Sequence, residues 1–271
     1  RGTNRMTDER EDRTASCAPV IVVNGDGNSP WLFVCEHASN FIPESFNSLG
    51  LDAEALKAHI AWDPGAVEVA RRLSSGLNAP LVESGLSRLL IDCNRPLHAT
   101  DLIPEISETT IIPGNHDLSA IERTARIDLS HRPFHTCVEE VIAKRAKRGL
   151  PSWIVTIHSF TPVYRNVSRP WQIGIIHDED DRIAKPLIAA LAQDKSLTVG
   201  INEPYSPADR VYYTLERHAR PRNTPCVMIE LRNNEIASAE TQAQWAERLT
   251  TIFAAIGNDL ASQVQLSGSK A

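Results

Sequence analysis

Two histidines stand just beyond short apolar runs, at points where buried strands are expected to end. His37 lies two residues after the run Trp31–Cys35, and His158 directly follows the run Trp153–Ile157. Functional groups of an open α/β sheet gather beyond the carboxyl ends of its strands, so the two imidazoles are expected to meet there. Because histidine is a frequent ligand of zinc and related metals, the pair predicts a metal site.

A catalytic zinc takes about three protein ligands and keeps one position open for water. Asp63, where a loop meets a predicted helix, is the preferred third ligand, and Glu36 and Asn40 are alternatives. Ordinary roles are also open. Either histidine could be a hydrogen-bonded core residue, and Asp63, followed by Pro64, could cap the helix. No H-E-x-x-H motif decides between these interpretations.

Glu230 ends the apolar run Val227–Ile229. A buried carboxylate is costly unless it is paired, and Arg232 is the nearest candidate partner in the sequence. The functional alternative is a general base. Partial burial would raise the pKa of Glu230 toward the working range, so that it could take a proton from an attacking water.

Arg95 is the candidate clamp for a substrate carboxylate, because its planar guanidinium can donate two parallel hydrogen bonds. Asn94 beside it and Ser159 after His158 are the other candidate substrate-binding residues. The alternative for Arg95 is an ion pair with Asp92 or another acid of the same chain.

Arg217 and His218 form a dense polar group before the last predicted strand. They are candidates for polarising the substrate carbonyl, although an ordinary charged surface helix has the same composition. Tyr205 is a weaker candidate for substrate contact.

Strand-like and helix-like segments alternate from residue 31 onward, which predicts an α/β fold. We expect a mostly parallel, mixed central sheet flanked by helices on both faces. The predicted strands are Trp31–Cys35, Pro80–Val82, Leu89–Ile91, Trp153–Ile157, Ile173–Ile176 and Pro225–Leu231. The predicted helices are Pro64–Leu77, Leu118–Gly149 with a kink or break at Pro133, Asp180–Gln193 and Ser238–Leu260.

The 271 residues suit a single α/β domain over residues 26–264, with polar, flexible segments at 1–25 and 265–271. A net charge of −6 gives no electrostatic reason to bind nucleic acid or acidic membranes. No apolar stretch is long enough for a membrane span. Five cysteines without a C-x-x-C pair favour reduced thiols and a cytoplasmic location.

Two other functions remain open on the residues alone. A metal-free cysteine hydrolase would use Cys35 with His37 or His158, but it needs an exposed thiol with a lowered pKa. A non-catalytic module that binds a small molecule is the second alternative, since a fold does not guarantee a function.

Six segments, in order, resemble the N-formylglutamate amidohydrolase family. They are Cys35–Ser39, His59–Ala66, Ser87–Pro96, Ile157–Pro162, Tyr213–Ala219 and Ile229–Arg232. The chain departs from the better-known deformylases at Glu36–Ser39, which reads Glu-His-Ala-Ser where they have Pro-His-Ser-Gly.

The resemblance implies a zinc-exopeptidase-like (phosphorylase/hydrolase-like) fold and a Zn²⁺ ion held by His37, Asp63 and His158, with other divalent metals possible. It implies Glu230 as the catalytic glutamate and Asn94 with Arg95 as the carboxylate clamp. The implied substrate is a small N-formyl or N-acyl acidic amino acid such as N-formyl-L-glutamate, cleaved at its amide bond. The oligomeric state stays open.

Overall fold

The computed structural model describes residues 18–268, with side chains to residue 262. Its strands are β1 (Val20–Val23), β2 (Trp31–Cys35), β3 (Leu81–Ser84), β4 (Ile106–Ser107), β5 (Thr110–Ile111), β6 (Trp153–Phe160), β7 (Val163–Tyr164), β8 (Val167–Ser168), β9 (Ile173–Ile176), β10 (Val199–Ile201) and β11 (Cys226–Arg232). Its α-helices are α1 (Ala53–Lys57), α2 (Ala66–Leu77), α3 (Ala120–Arg126), α4 (Arg132–Lys147), α5 (Ala184–Leu191), α6 (Tyr213–His218) and α7 (Ala239–Gly268). Within this range, no helix is both long and apolar enough to cross a lipid bilayer.

The central sheet has seven strands in the order β1-β3-β2-β6-β11-β9-β10. Strands β3, β2, β6 and β11 run parallel, and β9 and β10 run parallel to each other but antiparallel to β11. This confirms the predicted mixed, mostly parallel sheet. The outer strand β1 pairs with β3 in antiparallel orientation. Strand β1 lies within the segment 1–25 that was predicted to be flexible, and residues 1–17 of that segment lie outside the described range.

Helices cover both faces of the sheet because successive side chains of a strand point to opposite sides. In β2, Trp31 and Phe33 belong to the core cluster shared with α2, α5 and α7. The alternate residues Leu32 and Val34 belong to the cluster shared with α4 and α6. The sheet is therefore buried between two helical layers, and a functional site is expected toward the ends of its strands.

One predicted strand is wrong, since Leu89–Ile91 lies in a turn. The amide of Leu89 donates to Ser87 Oγ at 3.2 Å, and the amide of Leu90 donates to the Ser87 carbonyl at 3.0 Å. The run is apolar because Leu89 and Leu90 fill a separate core cluster under the loops, with Leu49 and Ile60, and Ile91 belongs to another small cluster with Leu102. Three apolar residues are too few for periodicity to separate a strand from a buried turn.

The long helix predicted over Leu118–Gly149 is divided, as Pro133 requires. A π-helical turn, Ile127–His131, joins α3 to α4, and Pro133 lies in the first turn of α4. The capping box of Ser119 and Glu122 begins α3. Helix α5 is shorter than the predicted Asp180–Gln193, and α7 continues past Leu260 to Gly268, into the predicted tail 265–271. Residues 269–271 lie outside the described range.

Phe253 on α7 joins this helix to the sheet and offers a test of the core. Its side chain is fully buried, with ring centroids 4.9 Å from Trp31 and 6.0 Å from Phe33. We expect Phe253→Ala to lower the free energy of unfolding by about 3–5 kcal/mol, because it removes buried area and leaves a cavity. Urea denaturation measures this change. Thr251→Ala, an exposed position on the same helix, should change the stability by less than about 0.5 kcal/mol.

Candidate active site

The two histidines singled out by the sequence do meet. His37 lies in the turn after β2, and His158 belongs to the neighbouring strand β6, with ring centroids 5.0 Å apart. Strand β6 continues to Phe160, so His158 lies inside the strand and not beyond its end as predicted. Both side chains are buried, with 3% and 1% of their surface exposed.

Asp63 approaches both histidines from the tight turn before α2. Its amide donates to the His37 carbonyl at 2.9 Å, and its Oδ2 lies 3.3 Å from His37 Nδ1 and 2.9 Å from His158 Nδ1. The helix N-cap is Gly65 rather than Asp63. Gly65 has a φ of 80°, and a Cβ there would lie 2.5 Å from the Ile236 carbonyl oxygen. The turn thus leaves the Asp63 carboxylate free to face the imidazoles.

A second carboxylate stands behind each imidazole. His37 Nε2 hydrogen bonds with Asp92 Oδ1 at 2.8 Å. His158 Nε2 lies 3.0 Å from Glu36 Oε2, an ion-pair distance without hydrogen-bond angles. Metal-binding histidines usually have such an outer partner, which orients the ring and leaves the other nitrogen for the metal. Both Nδ1 atoms face Asp63, which fits a shared ion.

Glu36 and Asn40 therefore do not occupy the position of a third ligand. Glu36 is paired behind His158, and the Asn40 side chain donates to the Leu56 carbonyl at 2.7 Å. The three candidate ligand atoms of His37, Asp63 and His158 lie within 4.8 Å of one another. Two imidazole nitrogens and one carboxylate oxygen form a donor set that suits a zinc site with an open position.

The charge of the cluster also suits a cation. Four buried carboxylates, Glu36, Asp63, Asp92 and Glu230, surround the two imidazoles. Burial opposes ionisation of Asp63, but His37 and His158 hold its pKa far below the usual range. Burial likewise opposes charge on His158, yet Glu36 and Asp63 raise the pKa of this imidazole well above its usual value. The carboxylates outnumber the two imidazoles, and their negative charge attracts positive charge to this point.

Glu230 lies on β11, directly opposite His158 of β6 in the strand register. It is 3% exposed, and its Oε2 has no hydrogen-bond partner within residues 18–262. The alternative pair with Arg232 is not formed, because Arg232 Nη2 bonds to Glu235 Oε1 at 2.6 Å. Burial raises the pKa of Glu230 to about 7, which is the range in which a carboxylate serves as a general base.

His37, Asp63, His158 and Glu230 line a cavity of about 210 Å³. Cavities for drug-sized ligands run from ~300 to 1,000 Å³, so this one suits a small metabolite. The predicted substrate-binding residues Asn94, Arg95 and Ser159 all line it. Arg95 is partly paired, since its Nε donates to Asp101 Oδ2 at 2.9 Å. Ser159 Oγ donates to the Pro64 carbonyl at 2.9 Å.

Arg88 also lines the cavity, although it was not among the predicted site residues. Its Nη2 donates to Asp92 Oδ2 at 2.8 Å, and its Nη1 lies 3.6 Å from Asp63 Oδ1. Its side chain keeps 27% of its surface exposed. The i,i+4 spacing of Arg88 and Asp92 was the available signal. It was hidden because the segment between them was interpreted as a strand, which would put the two side chains far apart.

Arg217 and His218 do not line this cavity, which gives no support to the catalytic role predicted for them. Arg217 pairs with Glu139 at 3.1 Å, on the side of α6 that faces α4. His218 is fully buried, and its Nε2 lies 2.8 Å from His135 Nδ1. Burial and the charge of Arg217 lower the pKa of His218 to about 3, so the ring is neutral.

Cys35 does not meet the requirements of a nucleophile. Its side chain is fully buried in the core, and burial raises the pKa of the thiol well above its usual value. A reactive cysteine needs an accessible thiolate. The geometry therefore disfavours the metal-free cysteine mechanism.

Two solved structures are similar to this chain over most of its length. A crystal structure of a gene product from Agrobacterium tumefaciens superposes with a TM-score of 0.85 at 46% identity, covering 90% of this chain and 95% of that one. An N-formylglutamate amidohydrolase from Ralstonia eutropha JMP134 superposes with a TM-score of 0.67 at 18% identity, covering 91% and 99%. A search of curated proteins gave no match.

The profile of one enzyme family, described as N-formylglutamate amidohydrolase, matches residues 29–237. The matched region contains the two imidazoles and the four buried carboxylates described above: Glu36, His37, Asp63, Asp92, His158 and Glu230. This chain therefore belongs to the N-formylglutamate amidohydrolase family.

Proposed function

We propose that the protein is a zinc-dependent amidohydrolase that cleaves the amide bond of an N-formyl or other N-acyl acidic amino acid, with N-formyl-L-glutamate as the first candidate. The observation that carries this proposal is the meeting of four groups in one small cavity. The candidate ligand atoms of His37, Asp63 and His158 lie within 4.8 Å of one another, and Glu230, whose Oε2 has no hydrogen-bond partner among the described residues, lines the same cavity. Membership of the family supports the reaction class.

His37, Asp63 and His158 would hold the ion, with Asp92 and Glu36 orienting the two imidazoles. A zinc ion bound there would lower the pKa of a water toward ~7 and polarise the substrate carbonyl. Manganese, cobalt and iron accept similar donors, so the identity of the metal rests on measurement.

Glu230 takes the proton of the attacking water and later gives it to the leaving amine nitrogen. A new C–O bond forms as the amide C–N bond breaks, and the products are formate, or another carboxylate, and the free amino acid. The place of Glu230 beside His158 suits this role, because the base must lie within reach of the attacking water. Asn94 and Arg95 bind a carboxylate of the substrate and so fix its register.

Arg88 takes the role that was predicted for Arg217 and His218. Its guanidinium is fixed by Asp92 and faces the cavity, where it can stabilise the negative charge that develops on the carbonyl oxygen. A fixed donor of this kind is effective because it needs no reorganisation during the reaction.

We expect Arg88→Met to lower kcat by about 10²–10³-fold, the loss typical of removing one such donor. Metal content, measured on the same sample, should stay near that of the native protein. The Arg217→Met variant, measured in the same way, shows which of the two arginines contributes to catalysis. A large loss in Arg217→Met with little loss in Arg88→Met would return the role to Arg217.

The proposed function is tested by elemental analysis of the purified protein together with a panel of substrates. The panel contains N-formyl and N-acetyl derivatives of amino acids with acidic and neutral side chains. We expect about one zinc per chain, the stoichiometry of a mononuclear site, and turnover of N-formyl acidic amino acids. Binding without turnover of any compound would instead support the non-catalytic module. Full hydrolysis by metal-free protein would refute the metal site.

A further inference from the structure

Arg169 is a buried, positively charged residue that has no role in the reaction proposed above. It follows β8, and 8% of its surface is exposed. Its guanidinium carbon lies 4.5 Å from the ring centroid of Tyr164, 4.9 Å from that of Tyr205 and 5.8 Å from that of Phe160. Within the described part of the chain it forms no ion pair with a carboxylate. Aromatic faces offset part of the energy needed to bury a charge, but an unpaired buried cation remains costly.

The contact that Arg169 does make fixes the hydroxyl of Tyr205. Arg169 Nη1 donates to Tyr205 Oη at 3.1 Å. A tyrosine hydroxyl has one hydrogen to donate as well as lone pairs that accept. Accepting from Arg169 therefore leaves the phenolic hydrogen available. Tyr205 has no acceptor for it among the described residues, and Tyr205 lines the same cavity as Glu230 and Arg88.

The surroundings of Tyr205 decide which acceptor it suits. Burial and the charge of Glu230 raise the pKa of Tyr205 to about 12, so the hydroxyl stays protonated and can donate. The Arg169 guanidinium lies 3.1 Å from the hydroxyl oxygen and Arg88 lines the same cavity, so two positive charges partly offset the charge of Glu230 there. Hydrogen bonds to a charged acceptor are shorter and about twice as strong as neutral ones. A carboxylate is therefore the preferred partner.

We propose that Tyr205 is a specificity-determining residue whose hydroxyl binds the side-chain carboxylate of the substrate, and that Arg169 is the positioning residue that orients it. This inference rests on the proposed function, in which Asn94 and Arg95 bind the other carboxylate. An acidic N-acyl amino acid has two carboxylates, and both Tyr205 and the pair of Asn94 and Arg95 line the cavity that would receive them. The pair thus accounts for a preference for acidic over neutral side chains.

Tyr205→Phe is compared with the native protein on N-formyl-L-glutamate and N-formyl-L-glutamine, which share the formyl group and the α-carboxylate. We expect kcat/KM for the glutamate derivative to fall about 10–100-fold, mostly through KM, the loss of one charge-assisted hydrogen bond. The glutamine derivative should change by less than about threefold, since a neutral amide gains less from that bond. Arg169→Met should reduce the same ratio, and Arg169→Lys, which keeps a charged donor, should restore part of it.

Tyr212→Phe serves as the matched control, because Tyr212 is buried beside Cys226 and does not line the cavity. Its glutamate-to-glutamine ratio should equal that of the native protein. An equal loss for both compounds in Tyr205→Phe, or no loss for either, would overturn the inference.

Calorimetric Kd values for both compounds separate this inference from the proposed function. If the native protein binds but hydrolyses neither compound, the proposed function fails, and a reduced binding ratio in Tyr205→Phe still supports the subsite. If the native protein binds neither compound, the subsite fails as well.

Discussion

Replacing Glu230 with glutamine is expected to lower kcat/KM by about 10³-fold, within the 10²–10⁴ range typical of general acid–base catalysis. Glutamine has nearly the same shape but cannot accept the proton of the attacking water. The loss should appear in kcat, with KM changed little, because Glu230 acts on the proton and not on the carboxylates of the substrate. Steady-state kinetics on N-formyl-L-glutamate measures both constants.

The fold should tolerate this change. The native carboxylate is buried with no hydrogen-bond partner at Oε2 among the described residues, and burial raises its pKa to about 7, so its ionised form is unfavourable in the folded protein. A neutral side chain of equal size removes that cost. We expect the melting temperature of Glu230→Gln to equal or exceed that of the native protein, which separates a catalytic loss from unfolding.

Glu83→Gln provides the matched control, because Glu83 is also a buried strand glutamate but pairs with Arg71 at 2.8 Å, away from the cavity. This variant should lose stability while keeping kcat/KM within about twofold. A Glu230→Gln protein with native kcat and intact zinc would show that another group moves the proton.

The positions of the catalytic candidates could be predicted largely because parallel strands bring their ends together. His37, His158 and Glu230 come from the adjacent strands β2, β6 and β11, or directly after them, and each apolar run made its strand easy to recognise. The turn that carries Asp63 was also predictable, from proline and glycine in sequence. These positions were predictable from the sequence because each residue is positioned by the strand or turn to which it belongs.

The surrounding groups could not be predicted in this way, because long-range packing places them. Arg88 faces the cavity because the segment after it turns, with Leu89 and Leu90 packed in the separate core cluster under the loops. Arg217 and His218 are close to Glu230 in sequence, yet α6 packs them against α4, where Glu139 and His135 are their partners. The residues around Arg217 and His218 in the sequence are compatible with either a catalytic or a structural role. Only their tertiary contacts distinguish the two roles.

The second large effect is expected at His158. In His158→Ala the cavity loses one of three candidate ligands, and Glu36 and Asp63 lose the partner that balances their charge. A metal supplies several kcal/mol of transition-state stabilisation, and each ~1.4 kcal/mol is a factor of ten in rate. We therefore expect His158→Ala, and native protein treated with a chelator, to lose roughly 10³-fold or more in kcat/KM.

Rescue distinguishes the loss of a ligand from damage to the fold. Added Zn²⁺ should restore activity to the chelated native protein but not to His158→Ala. Zn²⁺ should also raise the melting temperature of the chelated native protein, because a ligand that binds only the folded state stabilises it by mass action. That shift should disappear in His158→Ala and persist in His116→Ala. His116 is a suitable control because its imidazole is 67% exposed and pairs with Glu105, which is not a residue of the proposed metal site. Equal thermal shifts in all three proteins would place the metal elsewhere, and native activity in His158→Ala would exclude this imidazole from the reaction. The shift in melting temperature does not depend on which N-acyl amino acid is the substrate, so it tests the metal site separately from the substrate.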